Sequence, residues 1–312
     1  MLRPSTSIHG LNADRGLRLW QQPLYWLLNW VNNRRALADL DPHLQLRDFR
    51  PRHWQMVWPT LPLTSSPSRK LSDLFWVTLP WDALRQELGA IHVVDIGCGS
   101  GGYGDRLWHW SQQQISSYTG LDPYPHPHWS ILKQQYPSFQ FHQVAAQSIL
   151  EVIPDQANFL ISQSALEHIE ADLTLFRQIH DWIARRHRPI LQIHLLPSRA
   201  CLQLYGYHGI RQYTPRTVSQ ISQLFQPPNE AFLFSLGGMA CNRVHREFIP
   251  LPYPAGEGDR RQQFPQVYDQ QLRAAIAADM QTPQASPTFY ALVIHSHGQR
   301  RLLERPDGDQ RS

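Results

Sequence analysis

The stretch Val93-Val94-Asp95-Ile96-Gly97-Cys98-Gly99-Ser100-Gly101-Gly102-Tyr103-Gly104 decides the fold of this chain. A short apolar run ends in an acid, and glycines follow at alternating positions. Consecutive apolar residues of this length suit a buried strand. Glycine is required where the backbone takes a positive φ or approaches a ligand closely, and several such positions in one turn are not explained by packing. Tyr103 to Trp110 can then begin a helix whose first amides face the same ligand. The expected unit is therefore a strand, a ligand-binding turn and a helix in immediate succession.

The spacing is Asp-x-Gly-x-Gly-x-Gly, with the acid ahead of the glycines, unlike the dinucleotide pattern Gly-x-Gly-x-x-Gly. A carboxylate at that place repels a pyrophosphate and suits a cationic or amine-bearing ligand. In Val94-Asp95-Ile96-Gly97-Cys98-Gly99-Ser100-Gly101 the chain resembles the first motif of the class I S-adenosylmethionine-dependent methyltransferases. The alternative is a glycine-rich βα turn of some other nucleotide-binding α/β protein. The resemblance implies S-adenosylmethionine as cofactor, with Asp95, Gly97, Cys98, Gly99 and Gly101 at its methionyl portion. Cys98 itself reads as a small packing residue inside the turn.

Further matches follow in order. Ser117-Tyr118-Thr119-Gly120-Leu121-Asp122 gives a second strand whose terminal Asp122 stands about 20 residues past the glycines, where an acid bonds the ribose hydroxyls. Phe139 to Val144 alternates like a third strand. The family often places an adenine-binding acid in the next loop; this chain has Ala145-Ala146-Gln147, and Gln147 offers its amide carbonyl instead. Asn158-Phe159-Leu160-Ile161-Ser162-Gln163-Ser164-Ala165-Leu166-Glu167-His168-Ile169 resembles the family's strand and Ser-x-Leu-Glu-His segment, with Gln163 at the cofactor. Pro189 to Leu196, Glu230 to Leu236 and Thr288 to His295 complete a set of seven strands.

The resulting expectation is an α/β fold: a doubly wound, seven-stranded, mostly parallel sheet whose antiparallel seventh strand lies between the fifth and sixth, as the family places it. Strands alternating with helices imply a sheet covered on both faces. Residues 1–70 read as an N-terminal helical extension and a proline-bearing connector, residues 71–298 as the methyltransferase domain and residues 299–312 as a disordered polar tail. Leu71 to Leu88 reads as one or two short helices broken at Pro80, and Gln270 to Asp279 as a late helix. Thr214 is a fitting N-cap with Pro215 as first helical residue.

Composition narrows the function classes. At 312 residues with 42% apolar content, the chain can bury one large core. Three scattered cysteines give neither a disulfide framework nor a zinc site. The 16 histidines contain only His126-Pro-His128 and His295-Ser-His297 as close groups, whose alternate residues point apart, so no functional metal is expected. The pI of 9.1 comes almost entirely from arginine, without a dense basic run, so nucleic acid is not an expected partner. No apolar run of about 18 residues and no secretory signal are seen, which points to the cytoplasm. Leu17 to Val31 is the exception: its tryptophans and leucines, bracketed by Arg15, Arg18, Arg34 and Arg35, suit either peripheral membrane contact through residues 17–31 or a helix packed over the catalytic domain.

If the resemblance holds, transfer is an in-line displacement on the sulfonium methyl, so the chain must align the acceptor, exclude water and take up a proton. His168 and His194, near strand ends, are the candidate bases. The loop Tyr205-Gly206-Tyr207-His208-Gly209-Ile210-Arg211-Gln212-Tyr213 lies beyond a strand's carboxyl end, and Tyr205, Tyr207, His208, Arg211 and Tyr213 are the candidate acceptor contacts. Ser162-Gln163-Ser164-Ala165 is unlike the Asn-Pro-Pro-Tyr loop of nucleic-acid amino methylation. The fifth strand and the loop are similar to methyltransferases of bacterial surface-polysaccharide clusters. That implies O-methylation of a sugar-containing or other small hydroxylated acceptor, such as a glycan or glycolipid. A catalytically silent S-adenosylmethionine-binding protein and a membrane-surface interaction protein are the alternatives.

Overall fold

A computed structural model describes residues 4–5, 9–35, 40–225, 229–249, 259–282, 286–300 and 302. Eight strands form one sheet: β1 (Leu44–Asp48), β2 (Ile91–Ile96), β3 (Ile115–Asp122), β4 (Phe139–Gln143), β5 (Phe159–Gln163), β6 (Ile190–Pro197), β7 (Glu230–Leu236) and β8 (Phe289–Ser296). Their order is β1-β7-β8-β6-β5-β2-β3-β4. All pairings are parallel except those of β8, which runs antiparallel to both β6 and β7. The seven expected strands are all present, and the late antiparallel strand is inserted where expected.

The eighth strand corrects the sequence reading. Leu44–Asp48 falls in the segment expected to be helical, yet it pairs with β7 at the sheet edge. Only Leu44 of this strand is buried, and Arg47 lies over the Phe232 ring at 4.6 Å. A five-residue edge strand with one polar and two charged residues carries little apolar alternation, which is why its signal is faint. Pro67, in the segment read as a connector, starts the helix Pro67–Val77, where its missing N–H costs nothing, and the Ser66 hydroxyl accepts from the Arg69 amide. A second helix, Trp81–Leu88, follows the break at Pro80 as expected.

Both faces of the sheet are covered, and β2 shows how. Ile91 and Val93 pack into one apolar cluster with Leu71, Leu74, Trp76, Leu84 and Leu107, while Val94 and Ile96 pack into the other with Leu160, Phe176 and Ile179. A strand buried on both sides is mostly apolar along its length, as Ile91, Val93, Val94 and Ile96 are here, with His92 and Asp95 as the polar exceptions. After β2 the chain builds β3 and β4 on one side, then returns to add β5 on the other side of β2. The carboxyl ends of β2 and β5 thus flank the point where the winding reverses, and open α/β sheets bind their ligands there.

Part of the expected polar tail is settled and part is not described. The Gln299 amide donates to the Glu87 carboxylate at 2.7 Å and Arg300 to the Gln86 side chain at 2.6 Å, so these two residues are held against the helix Trp81–Leu88. Residues 301 and 303–312 lie outside the described residues.

Candidate active site

The turn after β2 is shaped by its glycines. Gly97, Gly99 and Gly101 have φ of 75°, 52° and 78°. A Cβ on Gly97 would stand 2.4 Å from the Ala165 Cβ, and one on Gly101 would stand 2.4 Å from the Phe141 ring. Gly99 differs: a Cβ there meets nothing within 4 Å. Packing therefore demands two of the three glycines, and Gly99 faces open space. A cavity of about 510 Å³ occupies that space, lined by Asp95, Gly97, Cys98, Gly99, Ser100, Gly102, Tyr103, Gln163 and Ser164, with Arg69 and Arg106.

Asp95 is almost fully buried at the end of β2. The Tyr118 hydroxyl donates to its Oδ2 at 2.7 Å, while its Oδ1 has no hydrogen-bond partner among the described residues. Burial pushes its carboxyl up to about 7; the Tyr118 hydrogen bond and Arg69 oppose the rise, and nearby Asp122 adds to it. A half-paired carboxylate at the wall of a cavity is a group arranged for a ligand that brings its own donor or positive charge.

Asp122, at the end of β3, accepts from the amides of Gly99 and Tyr124, each at 2.9 Å. It thereby braces the glycine turn, and each oxygen retains a second lone pair. Asp122 is not among the residues lining the cavity. Gln147 is exposed on the 3₁₀ segment Ala146–Glu151 after β4, also off the cavity wall. Gln163 lines the cavity with its side chain fastened: its Oε1 accepts from the Trp76 indole at 2.9 Å and its amide donates to the Ser72 hydroxyl at 3.2 Å. Ser164, next to it, holds φ of 52°, a strained conformation for a residue with a side chain.

A second pocket of about 280 Å³ shares Arg69, Gln163 and Ser164 with the first. Its other walls include Ser66, Ser68, Glu167, Tyr205, His208 and Phe289. Glu167 is fully buried, and neither carboxylate oxygen completes a hydrogen bond among the described residues. Its Oε1 lies 3.5 Å from His208 Nε2 and 3.8 Å from His168 Nε2. The Glu167 carboxylate raises the His208 imidazole above its ordinary value, against the opposing effect of burial. His168 in turn meets Asp14 at 2.5 Å.

The acceptor loop is sewn to the segment that carries Glu167. The Ile210 amide donates to the Glu167 carbonyl, and Arg211 donates to the carbonyls of Ile169 and Glu170. Arg211 also pairs with the buried Asp172 at 3.0 Å, and the Tyr213 hydroxyl donates to the same carboxylate at 3.0 Å. Beyond the loop, Thr214 and Thr217 form a reciprocal capping box on the helix Pro215–Ser222.

These facts sort the expected site residues. Asp95, Gly97, Cys98, Gly99 and Gln163 line the first cavity, and Tyr205 and His208 line the second. Gly101 caps the helix Gly102–Trp110. Arg211 and Tyr213 are both buried anchors of the loop, bonded to Asp172, and line neither cavity. Tyr207 is half exposed and packs on the Tyr25 ring. His194 is a correction: it is fully buried, its Nδ1 sits 2.9 Å from the Ser162 hydroxyl, its ring packs edge-on to Phe176, and burial pushes it down to about 3. A sealed imidazole of that kind touches neither cavity. His168 stands behind Glu167 and outside the pocket lining.

Sequence reasoning missed Glu167 as a functional acid, together with Arg69, Tyr103 and Arg106. Glu167 was in plain view in the Leu166-Glu167-His168 segment, but its partner His208 is forty-one residues away and reaches it only through the loop. The same folding brings Glu167, His168 and His208 within 4.8 Å of one another, a spacing that can hold a metal ion. The search for close histidine pairs along the chain had no means of finding it.

No protein-family model matches the sequence. The ubiquinone biosynthesis O-methyltransferase of Pseudomonas aeruginosa is 24% identical over 166 residues, spanning 52% of this chain and 70% of that protein. The enzyme of the same name from Pseudomonas paraeruginosa matches to the same extent. Among solved structures, the plantazolicin methyltransferase BamL with a desmethyl-plantazolicin analogue and S-adenosylhomocysteine is 14% identical, with a TM-score of 0.42 over 78% of this chain and 94% of that one. A S-adenosylmethionine-dependent methyltransferase from Archaeoglobus fulgidus is 16% identical, with a TM-score of 0.41 over 69% and 92%. The strand order with its inserted antiparallel strand, and the glycine turn at the switch point, decide the fold. The chain has the doubly wound α/β fold that its resemblance to the class I S-adenosylmethionine-dependent methyltransferases implies. In this fold, the larger cavity adjoins the glycine turn and the smaller pocket lies beyond the end of β5.

Proposed function

We propose that this chain is a S-adenosylmethionine-dependent O-methyltransferase acting on a small hydroxylated acceptor, most simply a sugar-containing one. The observation that carries the reading is the pair of joined cavities. One is walled by glycine backbone and a half-paired acid, the other by hydroxyls and the buried Glu167 set against half-exposed His208, and Arg69, Gln163 and Ser164 line both.

The residues of the larger cavity fit the cofactor. The free Oδ1 of Asp95 suits an amine, Arg69 and Arg106 suit a carboxylate, and open Gly99 lets a ligand lie against the backbone. Asp122, at the turn's far side, has lone pairs for ribose hydroxyls. S-adenosylmethionine bound there supplies an electrophilic methyl group on its sulfonium.

The chain's own residues do the remaining work. Ser66, Ser68 and Tyr205, linked by hydroxyl hydrogen bonds, orient the acceptor, and Phe289 gives it an apolar floor. His208 takes the acceptor's hydroxyl proton on a ring nitrogen, and Glu167 stabilises the imidazolium that forms. The curated relatives' name, which specifies O-methylation, supports an oxygen nucleophile. The three free cysteines suit a cytoplasmic setting.

The test is calorimetric titration with S-adenosylmethionine and S-adenosylhomocysteine, followed by label transfer from methyl-labelled S-adenosylmethionine to sugars, glycolipids and phenols. Micromolar binding of both and label on a hydroxyl oxygen are expected. Binding of neither would sink the cofactor reading, and binding without transfer to any hydroxylated acceptor would sink the O-transfer half.

A further inference from the structure

The helix Gln21–Asn33 is folded inside out. Its buried residues are Tyr25, Asn29, Asn32 and Asn33, while Trp20, Leu24, Leu27 and Val31 face solvent. These outward positions are separated by four, three and four residues, the spacing of one continuous helical face. Leu19, 84% exposed, Trp20, 62% exposed, and Leu27, 51% exposed, extend the face beyond scattered single residues. The inward face is polar by construction: Asn33 donates to Gln212 at 3.0 Å, Arg216 donates to Asn32 at 3.1 Å, and the Tyr25 hydroxyl donates to the His208 carbonyl at 2.8 Å. An ordinary surface helix puts its apolar stripe on the core; this one presents it outward.

Charge indicates what covers the stripe. The helix itself contains no charged residue, and Arg15, Arg18, Arg34 and Arg35 bracket it at both ends. Beyond its carboxyl end a polar cavity of about 390 Å³ is lined by Trp30, Arg34, Arg199, Arg246 and exposed Met239. A second copy of the chain is a poor occupant, since pairing two such helices in either direction sets arginines against arginines. An apolar face rimmed by arginine complements a surface that is apolar within and anionic at its rim.

We propose that the chain docks peripherally on an anionic lipid bilayer through Leu19, Trp20, Leu24, Leu27 and Val31, with the bracketing arginines on lipid phosphates. The helix lies in the plane of the interface, and no helix among the described residues is long and apolar enough to cross a membrane. Tyr25 ties this helix to the loop that carries His208, so the docking surface and the acceptor pocket share one support.

Co-sedimentation of the full chain with mixed vesicles of phosphatidylcholine and phosphatidylglycerol, against phosphatidylcholine alone, tests this. Binding to the mixed vesicles is expected, weakening as salt is added. Leu24→Gln with Leu27→Gln should lower partitioning by roughly tenfold or more while the melting temperature holds, because both side chains point outward. Arg15→Gln with Arg18→Gln should remove the preference for phosphatidylglycerol. Failure of the wild-type chain to bind mixed vesicles overturns the proposal, as does unchanged binding by the double leucine variant. So does a wild-type dimer in sedimentation velocity that Leu27→Gln dissociates without any lipid binding, which would give the face to a second copy. Vesicle binding is read without turnover, so its outcome is independent of the methyl-transfer reading.

Discussion

The two joined cavities are built in opposite ways. The larger one is centred on a single continuous turn, Gly97 to Gly102, shaped by backbone that three positive-φ glycines allow, with Arg69, Arg106 and Gln163 on its other walls. The smaller is assembled from five separate segments, with Ser66 and Ser68, Ser164 and Glu167, Pro197, Tyr205 and His208, and Phe289 on its walls. A cavity built of local backbone announces itself in sequence. A cavity assembled from distant side chains does not. The contrast assigns different weaknesses to each: the first is vulnerable to added atoms, the second to lost partners.

The largest effect should come from the assembled pocket. Glu167→Gln and His208→Gln should each lower kcat by about 10²- to 10⁴-fold, the range of a removed general base and its stabilising partner. Affinity for S-adenosylhomocysteine, measured by calorimetry, should not change, because neither residue lines the larger cavity. Adding a divalent cation or a chelator to the wild-type enzyme separates a proton relay from a metal-dependent one at the same three residues, Glu167, His168 and His208. A relay keeps its rate under chelation. Comparable loss of cofactor affinity in either variant would merge the two cavities into one functional unit and end the contrast.

Next in size is the loop that carries the pocket. Arg211 and Asp172 are both buried, and Arg211 also holds two backbone carbonyls. Arg211→Met would leave the buried Asp172 carboxylate without its cation and should cost about 3–5 kcal/mol of stability by urea unfolding. The folded fraction should still bind cofactor. A cost under about 1 kcal/mol would mean that the pair is solvated and the loop is held elsewhere.

The sequence gives away most of the fold for the reason just seen. The apolar runs of Val93–Ile96 and Phe159–Ile161 lie at the doubly covered centre, where both faces of a strand are buried, so they are legible; Leu44–Asp48, at an edge with one buried residue, is not. Asp95 and Gly99 are legible because motif and turn coincide. Arg211 and Tyr213 were mistaken for acceptor contacts because polar residues in a loop read alike whether they face a ligand or a buried Asp172. His194 was mistaken because a strand end does not say which side its histidine faces.

Within the local turn, the glycines can be set against one another. Gly97→Ala combines a left-handed φ with a Cβ driven onto Ala165 at 2.4 Å, and should cost about 2–4 kcal/mol of stability. Gly99→Ala meets nothing, so it should cost only the φ penalty of about 1 kcal/mol, while its methyl intrudes on the open cavity and weakens cofactor binding. Equal stability losses for the two would show that the turn is shaped by conformation alone. A Gly99→Ala protein with unweakened binding would place the ligand away from the turn.

The gentlest probe is pH, and it reads Asp95 alone. Its carboxyl is pushed by burial to about 7 in the folded chain, above the ordinary 3.8. A raised acid binds its proton more tightly folded than unfolded, so its contribution to stability is fully present below about pH 4 and is lost as pH rises through 7. Ligand-free wild-type stability should therefore fall, relative to Asp95→Asn, by on the order of 1 kcal/mol per pH unit between about pH 4 and 7, and then run parallel. The variant keeps the shape and an acceptor for the Tyr118 hydroxyl, and the other titrating groups cancel in the difference. Saturating S-adenosylhomocysteine should flatten the wild-type curve, since an amine set against the free Oδ1 restores the charged form. If the difference between the two proteins is the same at every pH, Asp95 is solvated in the free chain. The turn would then owe its cavity to the glycines without help from the acid.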